Sequence, residues 1–403
     1  METAPVILFV GLLVFLAHWF AGIFSRTRIP DALMLIVIGL ILGPVVKIVR
    51  PEHFGQVGPV FATIALVIIL FEGGTDLRTE VLRKSWQYTI RLSVVGFVAT
   101  ALLVAWVTVT STPLGPVRSL MLGAIVGGTA SAIVIPLVKQ LTLKEESRTV
   151  LVLESVVTDV LCIVVALGLF EAYQFGEVRP GLILGHLIAS FLMAALIGVV
   201  SAFGWSILLH RVRTLQYSIL TTPAFVFVVF GIAEMLGYSG AIASLAFGIA
   251  IGNTQLFHLK AIRRFVRTEP ISLNETEKVL FGELVFILKT FFFVYVGLSI
   301  QLNDVASVSF GLLLTLLIFL VRIPVLWISR DRQTSPSDAS YMAIMVPKGL
   351  AAAVLASIPL QLGIPGGDLI QNVTFAVLLF SILLNSILVP LVERTAVGAF
   401  YRW

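Results

Sequence analysis

Apolar, uncharged runs follow one another along the whole chain, separated by short polar joints. Bounded by charges, proline or glycine, they lie near 4–24, 32–49, 56–74, 88–111, 115–141, 149–173, 181–209, 216–236, 238–256, 279–301, 307–328, 339–360 and 370–392. Most reach or approach the roughly 20 residues that an α-helix needs to cross the hydrocarbon core of a bilayer. None shows the polar–apolar alternation in ten-residue segments that marks transmembrane β-strands. The pattern predicts an all-α polytopic membrane protein with about 13 spans. The splits near 113 and 237 rest on joints of only a few residues. The first run, Thr3 to Phe24, lacks the basic start of a secretory signal and reads as a retained first helix.

Composition agrees. Of 403 residues, 58% are apolar and 12% are charged, where a soluble domain carries about 25% charged residues. So much apolar surface needs lipid around it. A soluble enzyme, a disordered chain, a nucleic-acid-binding module and a single-span receptor are all excluded. Little length remains for a soluble domain, and no regulatory domain is expected after residue 392. One cysteine, Cys162, excludes a disulfide framework and CxxC metal or redox sites.

The net charge of +5 reads as orientation rather than as an acidic partner. With 13 spans the termini face opposite sides. The loops on the C-terminal side then hold 19 of the 27 Lys and Arg residues, the other side holds 4, and 4 lie inside spans: Arg91, Lys289, Arg322 and Lys348. The positive-inside rule places the N-terminus outside and the C-terminus in the cytoplasm, in a cell (inner) membrane. The basic cluster Lys260, Arg263, Arg264 and Arg267, in the polar stretch 257–278, reads as an ordinary cytoplasmic loop.

Charges within the membrane are costly, so each one is a functional candidate. The sixth span carries Glu154-Ser155-Val156-Val157-Thr158-Asp159. At 100° per residue Ser155 and Asp159 share a face and Thr158 adjoins it, while Glu154 is rotated further round. Hydroxyl and carboxylate oxygens in a stripe suit a hard monovalent cation, and a desolvated carboxylate can also carry a proton. The twelfth span holds Pro347-Lys348-Gly349, where proline and glycine can interrupt the helix around a lysine. That lysine needs an anionic partner, for which Glu154 is the candidate. The fifth span holds Gly127-Gly128-Thr129-Ala130-Ser131-Ala132 and Pro136, a second candidate break. Spans 5 and 12 correspond if helices 1–6 and 8–13 form two repeats of opposite topology. Glu72 ends the third span and either lines an ion funnel or caps the helix. Lys289, with Glu283 nearby, either neutralises half-helix carbonyls or pairs with an acid. Glu234 reads as structural and Cys162 as packing.

These stretches together resemble the monovalent cation/proton antiporter superfamily, most closely its NhaP-like sodium/proton branch. The likeness rests on Glu-Ser-x-x-Thr-Asp at 154–159, GGTASA at 127–132 and PKG at 347–349, with LFEGG at 70–74, GYSGAIASLAFGIAIGN at 237–253 and FFFVYVGL at 291–298 in support. It covers nearly the whole chain. It implies an inverted-repeat fold of 13 helices with two crossed broken helices, an elevator-like motion of a core against a dimerisation scaffold, and a homodimer. It implies that Asp159 binds cation and proton in turn, with Ser155, Thr129, Thr158 and Ser131 around the cation and Glu154 paired with Lys348. The chain departs from the branch in three places: Thr158 stands where Asn is usual, Ala130 and Ser131 where Thr-Asp-Pro is frequent, and Lys348 where Arg is usual.

The expected function is therefore exchange of a monovalent cation for H⁺ by one transmembrane transporter domain, residues 1–403, serving pH homeostasis. Na⁺ is the first expectation and K⁺ or Li⁺ the alternatives. No cofactor beyond the transported ions, no nucleic acid and no enzymatic activity is expected. A cation-coupled solute symporter on the same broken-helix fold is the rival transporter. Gly237-Tyr238-Ser239-Gly240 matches the GxSG of an intramembrane serine protease, but that chemistry needs a membrane-buried histidine base, and the only later histidine, His258, starts the basic loop.

Overall fold

The structure, a computed structural model, describes residues 3–27, 30–47, 57–76, 79–174, 180–212, 220–253, 273–329 and 334–394. Among these the chain is helical throughout: α1 (Thr3–Thr27), α2 (Asp31–Leu40), α3 (Val57–Asp76), α4 (Thr79–Ser111), α5 (Pro116–Ile125), α6 (Ser131–Gln140), α7 (Glu145–Gln174), α8 (Pro180–Val212), α9 (Thr221–Met235), α10 (Gly240–Gly252), α11 (Glu275–Ser299), α12 (Val305–Ser329), α13 (Pro336–Ile344), α14 (Leu350–Gln361) and α15 (Gly367–Arg394). A π-helical turn, Ile41–Val45, extends α2. Six helices are long and apolar enough to cross a membrane by length and composition: α4, α7, α8, α11, α12 and α15. Helix occupies every one of the apolar runs read from the sequence. The basic residues Lys260, Arg263, Arg264 and Arg267 lie outside the described residues.

Helix ends follow local chemistry. Pro116 and Pro336 open α5 and α13, where a missing N–H costs no helical bond. Asn274 and Glu277 form a reciprocal cap at the start of α11: the Glu277 amide donates to Asn274 Oδ1 at 2.7 Å and the Asn274 amide to Glu277 Oε2 at 2.8 Å. The short joint at 237 is real. Gly237 has φ +77°, a conformation that glycine adopts without penalty. Ser239 caps α10, and Glu234 Oε1 accepts from the Gly240 amide at 2.7 Å. The GxSG sequence is thus a helix start, and Glu234 has the structural role expected of it.

The helices form two compact units. The first comprises residues 1–59, 85–170 and 289–403, and the second 60–84 and 171–288. In the first, α15 runs through the core and packs against α2, α5, α12, α13 and α14. Its buried side chains include Ile370, Val373, Val377 and Ile382. Also in this unit, Gly39 of α2 and Gly297 of α11 meet backbone to backbone, each with no room for a side chain. In the second unit α10 packs against α8 and α9, and Gly248 lies directly on the Phe71 carbonyl of α3. Small residues are what allow membrane helices to approach this closely.

Candidate ion site

The fifth apolar run is broken. α5 ends at Ile125, α6 begins at Ser131, and Ala130 between them is extended. The twelfth run is broken in the same way: α13 ends at Ile344 and α14 begins at Leu350. The two breaks touch. The Ala130 amide donates to the Pro347 carbonyl at 2.8 Å, and a Cβ on Gly349 would run into the Ala130 side chain.

A broken helix exposes backbone groups that need partners. α7 supplies them to the first break. The Gly128 amide donates to Cys162 Sγ at 3.0 Å, the Thr129 amide to Thr158 Oγ1 at 3.1 Å and the Ser131 amide to Asp159 Oδ2 at 3.2 Å. Residues 158, 159 and 162 can do this together because they lie close on one side of the helix. α15 and α12 serve the second break. Ser381 Oγ accepts from the Lys348 amide at 3.0 Å, Asn385 Nδ2 donates to the Ile344 carbonyl at 2.7 Å, and Arg322 Nε donates to the Met342 carbonyl at 3.2 Å.

Asp159 lies at the accessible edge of this arrangement and is only partly buried. Ser131 Oγ donates to its Oδ2 at 2.6 Å. Asp159 Oδ1 makes no hydrogen bond among the described residues and is free to receive a proton or a cation. Thr158 and Thr129 are buried beside it, their hydroxyls 3.2 Å apart. Ser155, fully buried, turns its hydroxyl back to the Val152 carbonyl at 2.8 Å.

Behind Asp159 lie three buried charges: Glu154, Arg322 and Lys348. The guanidinium of Arg322 forks onto both Glu154 oxygens, the Nη2–Oε2 arm measuring 2.7 Å. Lys348 Nζ donates to the Gly128 carbonyl at 2.6 Å. This corrects the expected Glu154–Lys348 pair. Lys348 leaves the chain at the crossover itself, where the freed carbonyl of the other break is its near acceptor. Glu154 is rotated off the Asp159 face and meets α12, whose planar fork matches a carboxylate better than an ammonium does. With Asp159 ionised, the four groups carry two charges of each sign. A small cavity beside Glu154, Arg322 and Lys348, lined also by Gly96, Thr129 and Thr158, has room for about one water.

The model of the transmembrane sodium/hydrogen exchanger family matches residues 11–394 of this chain. The chain belongs to that family. Among its curated relatives, the K(+)/H(+) antiporter NhaP2 of Shewanella baltica is 24% identical over 392 residues, covering 92% of this chain and 63% of that protein. The chain thus spans less than two thirds of the length of such relatives. The probable Na(+)/H(+) antiporter 2 of Methanocaldococcus jannaschii is 25% identical over 379 residues, 87% of this chain and 84% of that protein. The solved structure of the sodium proton antiporter MjNhaP1 of M. jannaschii shares the fold, with a TM-score of 0.77 at 22% identity over 96% of this chain and all of that one.

Within this exchanger-family fold, the residues read from sequence divide into two sets. Asp159, Ser155, Thr158, Thr129, Ser131, Glu154 and Lys348 are brought together. Lys289 is not among them: it pairs with Asp31, the first residue of α2, at 2.8 Å. Its partner is therefore an acid, though not Glu283. Glu72 lies on α3 in the second unit. Sequence reasoning gave no role to Arg322 or Asn385 and assigned Cys162 to packing alone. A signal for Arg322 existed, since it was one of only four cations placed inside spans. Nothing in the local pattern marks Asn385.

Proposed function

We propose that the chain is a secondary antiporter that exchanges a monovalent cation for H⁺ across the membrane by alternating access. The observation that carries this reading is Asp159: a partly accessible carboxylate with one oxygen held by Ser131 and the other free, beside two crossing helix breaks. Proton and cation compete for that carboxylate, and the protein reorients only when it is loaded. Ser131, Thr129, Thr158 and Ser155 supply hydroxyl or backbone oxygens within the same cluster. If Asp159 alone loads, one cation exchanges for one proton and transport is electroneutral; a cycle in which Lys348 also lost its proton would be electrogenic.

Na⁺ is the first candidate for the cation. K⁺ is the second, favoured by the K(+)/H(+) antiporters among the relatives. The same reading makes the protein a homodimer of 13-span protomers built from inverted repeats. Each protomer moves its ion-binding core against a dimer scaffold, in a cell membrane with the N-terminus outside, and the exchange serves pH homeostasis. The test is purified protein in liposomes with an imposed pH gradient, to which Na⁺, K⁺ or Li⁺ is added while lumenal pH is followed. Cation-driven pH change in the native protein and none in Asp159→Asn is expected. No pH response to any cation would sink antiport, and full activity in Asp159→Asn would sink the role of that carboxylate.

A further inference from the structure

Buried hydroxyls on membrane helices usually turn back onto a carbonyl of their own helix. Thr315, Thr374, Ser244 and Ser386 all do so here, each reaching the carbonyl four residues earlier at 2.7–2.8 Å. Others do not, among them Thr89 and Ser93 of α4 and Ser329 of α12, which are fully buried and whose hydroxyl oxygens have no hydrogen-bond partner among the described residues.

These three lie in one seam. Thr89 and Ser93 are one helical turn apart on the buried face of α4, and Gly96 follows about a turn later on that face. A Cβ on Gly96 would stand 3.4 Å from Arg322 Nη1 and 3.9 Å from Glu154 Oε1, so α4 presents bare backbone to the ion pair there. Ser329 lies two turns beyond Arg322 on α12, level with the same stretch of α4, since Arg91 Nε donates to its carbonyl at 3.0 Å. The seam therefore runs from Thr89 and Ser329 to the cavity at Gly96, Glu154, Arg322 and Lys348. At the cavity end, the Lys348 ammonium has three donors and one hydrogen-bond acceptor among the described residues, the Gly128 carbonyl.

We infer that this seam is a water-binding site. Ordered waters bridge Thr89, Ser93 and Ser329 and continue into the cavity, where they complete the hydrogen bonding of the Glu154–Arg322 pair and the Lys348 ammonium. Thr89 and Ser93 lie about one helical turn apart, a separation that one or two hydrogen-bonded waters cover. The energetics fit as well, because a buried hydroxyl without a partner costs about 1–3 kcal/mol and a water with polar partners relieves it. The site stands on one face of Asp159's surroundings only, behind the charges, and needs no assumption about which cation is carried.

Radiolytic hydroxyl labelling of the full chain in detergent micelles tests this, because buried side chains are oxidised only where bound water lies against them. Phe97 and Met342 flank the seam and are buried. Phe293 and Met121 are matched buried controls of the same residue types. Label on Phe97 and Met342 well above Phe293 and Met121, lost in the near-isosteric Thr89→Val/Ser93→Ala variant, is the expected result. Equal protection of all four in the native protein would overturn the inference, whether or not the variant folds. Undiminished label in a folded variant would overturn the part played by Thr89 and Ser93.

Discussion

Arg322 of α12 grips both carboxylate oxygens of Glu154 of α7, and both side chains are almost wholly buried, at 6% and 2% exposure. A third donor of the same guanidinium, Nε, holds the Met342 carbonyl at the end of α13. One side chain thus ties the helix that carries Asp159 to the helix that breaks beside it.

Removing one member of this pair should be far more damaging than removing both. Arg322→Met leaves an unpaired buried carboxylate, a change that costs about 3–5 kcal/mol in buried pairs. Glu154→Gln/Arg322→Met should recover a large part of that loss. Thermal unfolding of the purified variants in detergent checks the order; equal stability of the single and double variants would show that the pair is not coupled.

Ser131 should set cation affinity rather than stability. Its hydroxyl and amide both donate to Asp159 Oδ2, at 2.6 and 3.2 Å. Ser131→Ala removes the hydroxyl bond from an accessible carboxylate, where hydrogen bonds to charged groups contribute about 1.5–3 kcal/mol. The expected result is a raised cation concentration for half-maximal exchange, with the melting temperature nearly unchanged. An unaltered concentration dependence would remove Ser131 from the site.

The crossover should tolerate no side chain at 349. A methyl group there collides with Ala130, and overpacking a close contact costs about 1–3 kcal/mol. Gly349→Ala should lower the melting temperature and slow exchange. Ala130→Gly in the same protein should relieve part of both losses, as measured by the same melting and liposome assays.

A pH-dependent contribution sits outside the membrane spans. Asp304 opens α12 and its Oδ1 accepts from the Ser307 amide at 3.0 Å. Hydrogen bonding at Ser307 holds the Asp304 carboxyl below its ordinary range, against a smaller opposing effect of burial. A carboxyl whose folded value is depressed stabilises the fold above its unfolded value, and that contribution is lost as pH falls through the folded one. Asp304→Ala should therefore cost about 0.5–2 kcal/mol at neutral pH, as the loss of a helix cap does. The difference between native and variant melting should close as pH drops below about 4. A difference that persists under acid would argue against the ionised cap.

Much of the site was legible along the chain. Ser155, Thr158 and Asp159 crowd little more than one turn of one helix, so periodicity alone places them on adjoining faces, with Glu154 rotated further round. Both helix breaks were visible because glycine, proline and hydroxyl residues interrupt otherwise continuous apolar runs. The partner of Glu154 was not legible. Lys348 and Arg322 are both cations deep in apolar spans, and nothing local distinguishes them. Arg322 is 168 residues from Glu154, and only the packing of α12 beside α7 brings it in. Cys162 shows the same limit: three residues after Asp159 it reads as one more small apolar side chain, and its task of receiving the Gly128 amide exists only because the first break lies against α7.

The sequence by itself determined that the chain is an all-helical membrane protein, where its helices run, which two of them break, and which carboxylate stands in their midst. Those properties follow from local hydrophobicity, backbone preference and helical periodicity, which depend on neighbours along the chain. The tertiary structure alone decided that the two breaks cross at Ala130 and Gly349, that Arg322 rather than Lys348 neutralises Glu154, and that Lys289 serves Asp31. Those are choices among distant partners of like charge, and only the packing of helices, which brings one within hydrogen-bonding reach and leaves the other outside it, can make them.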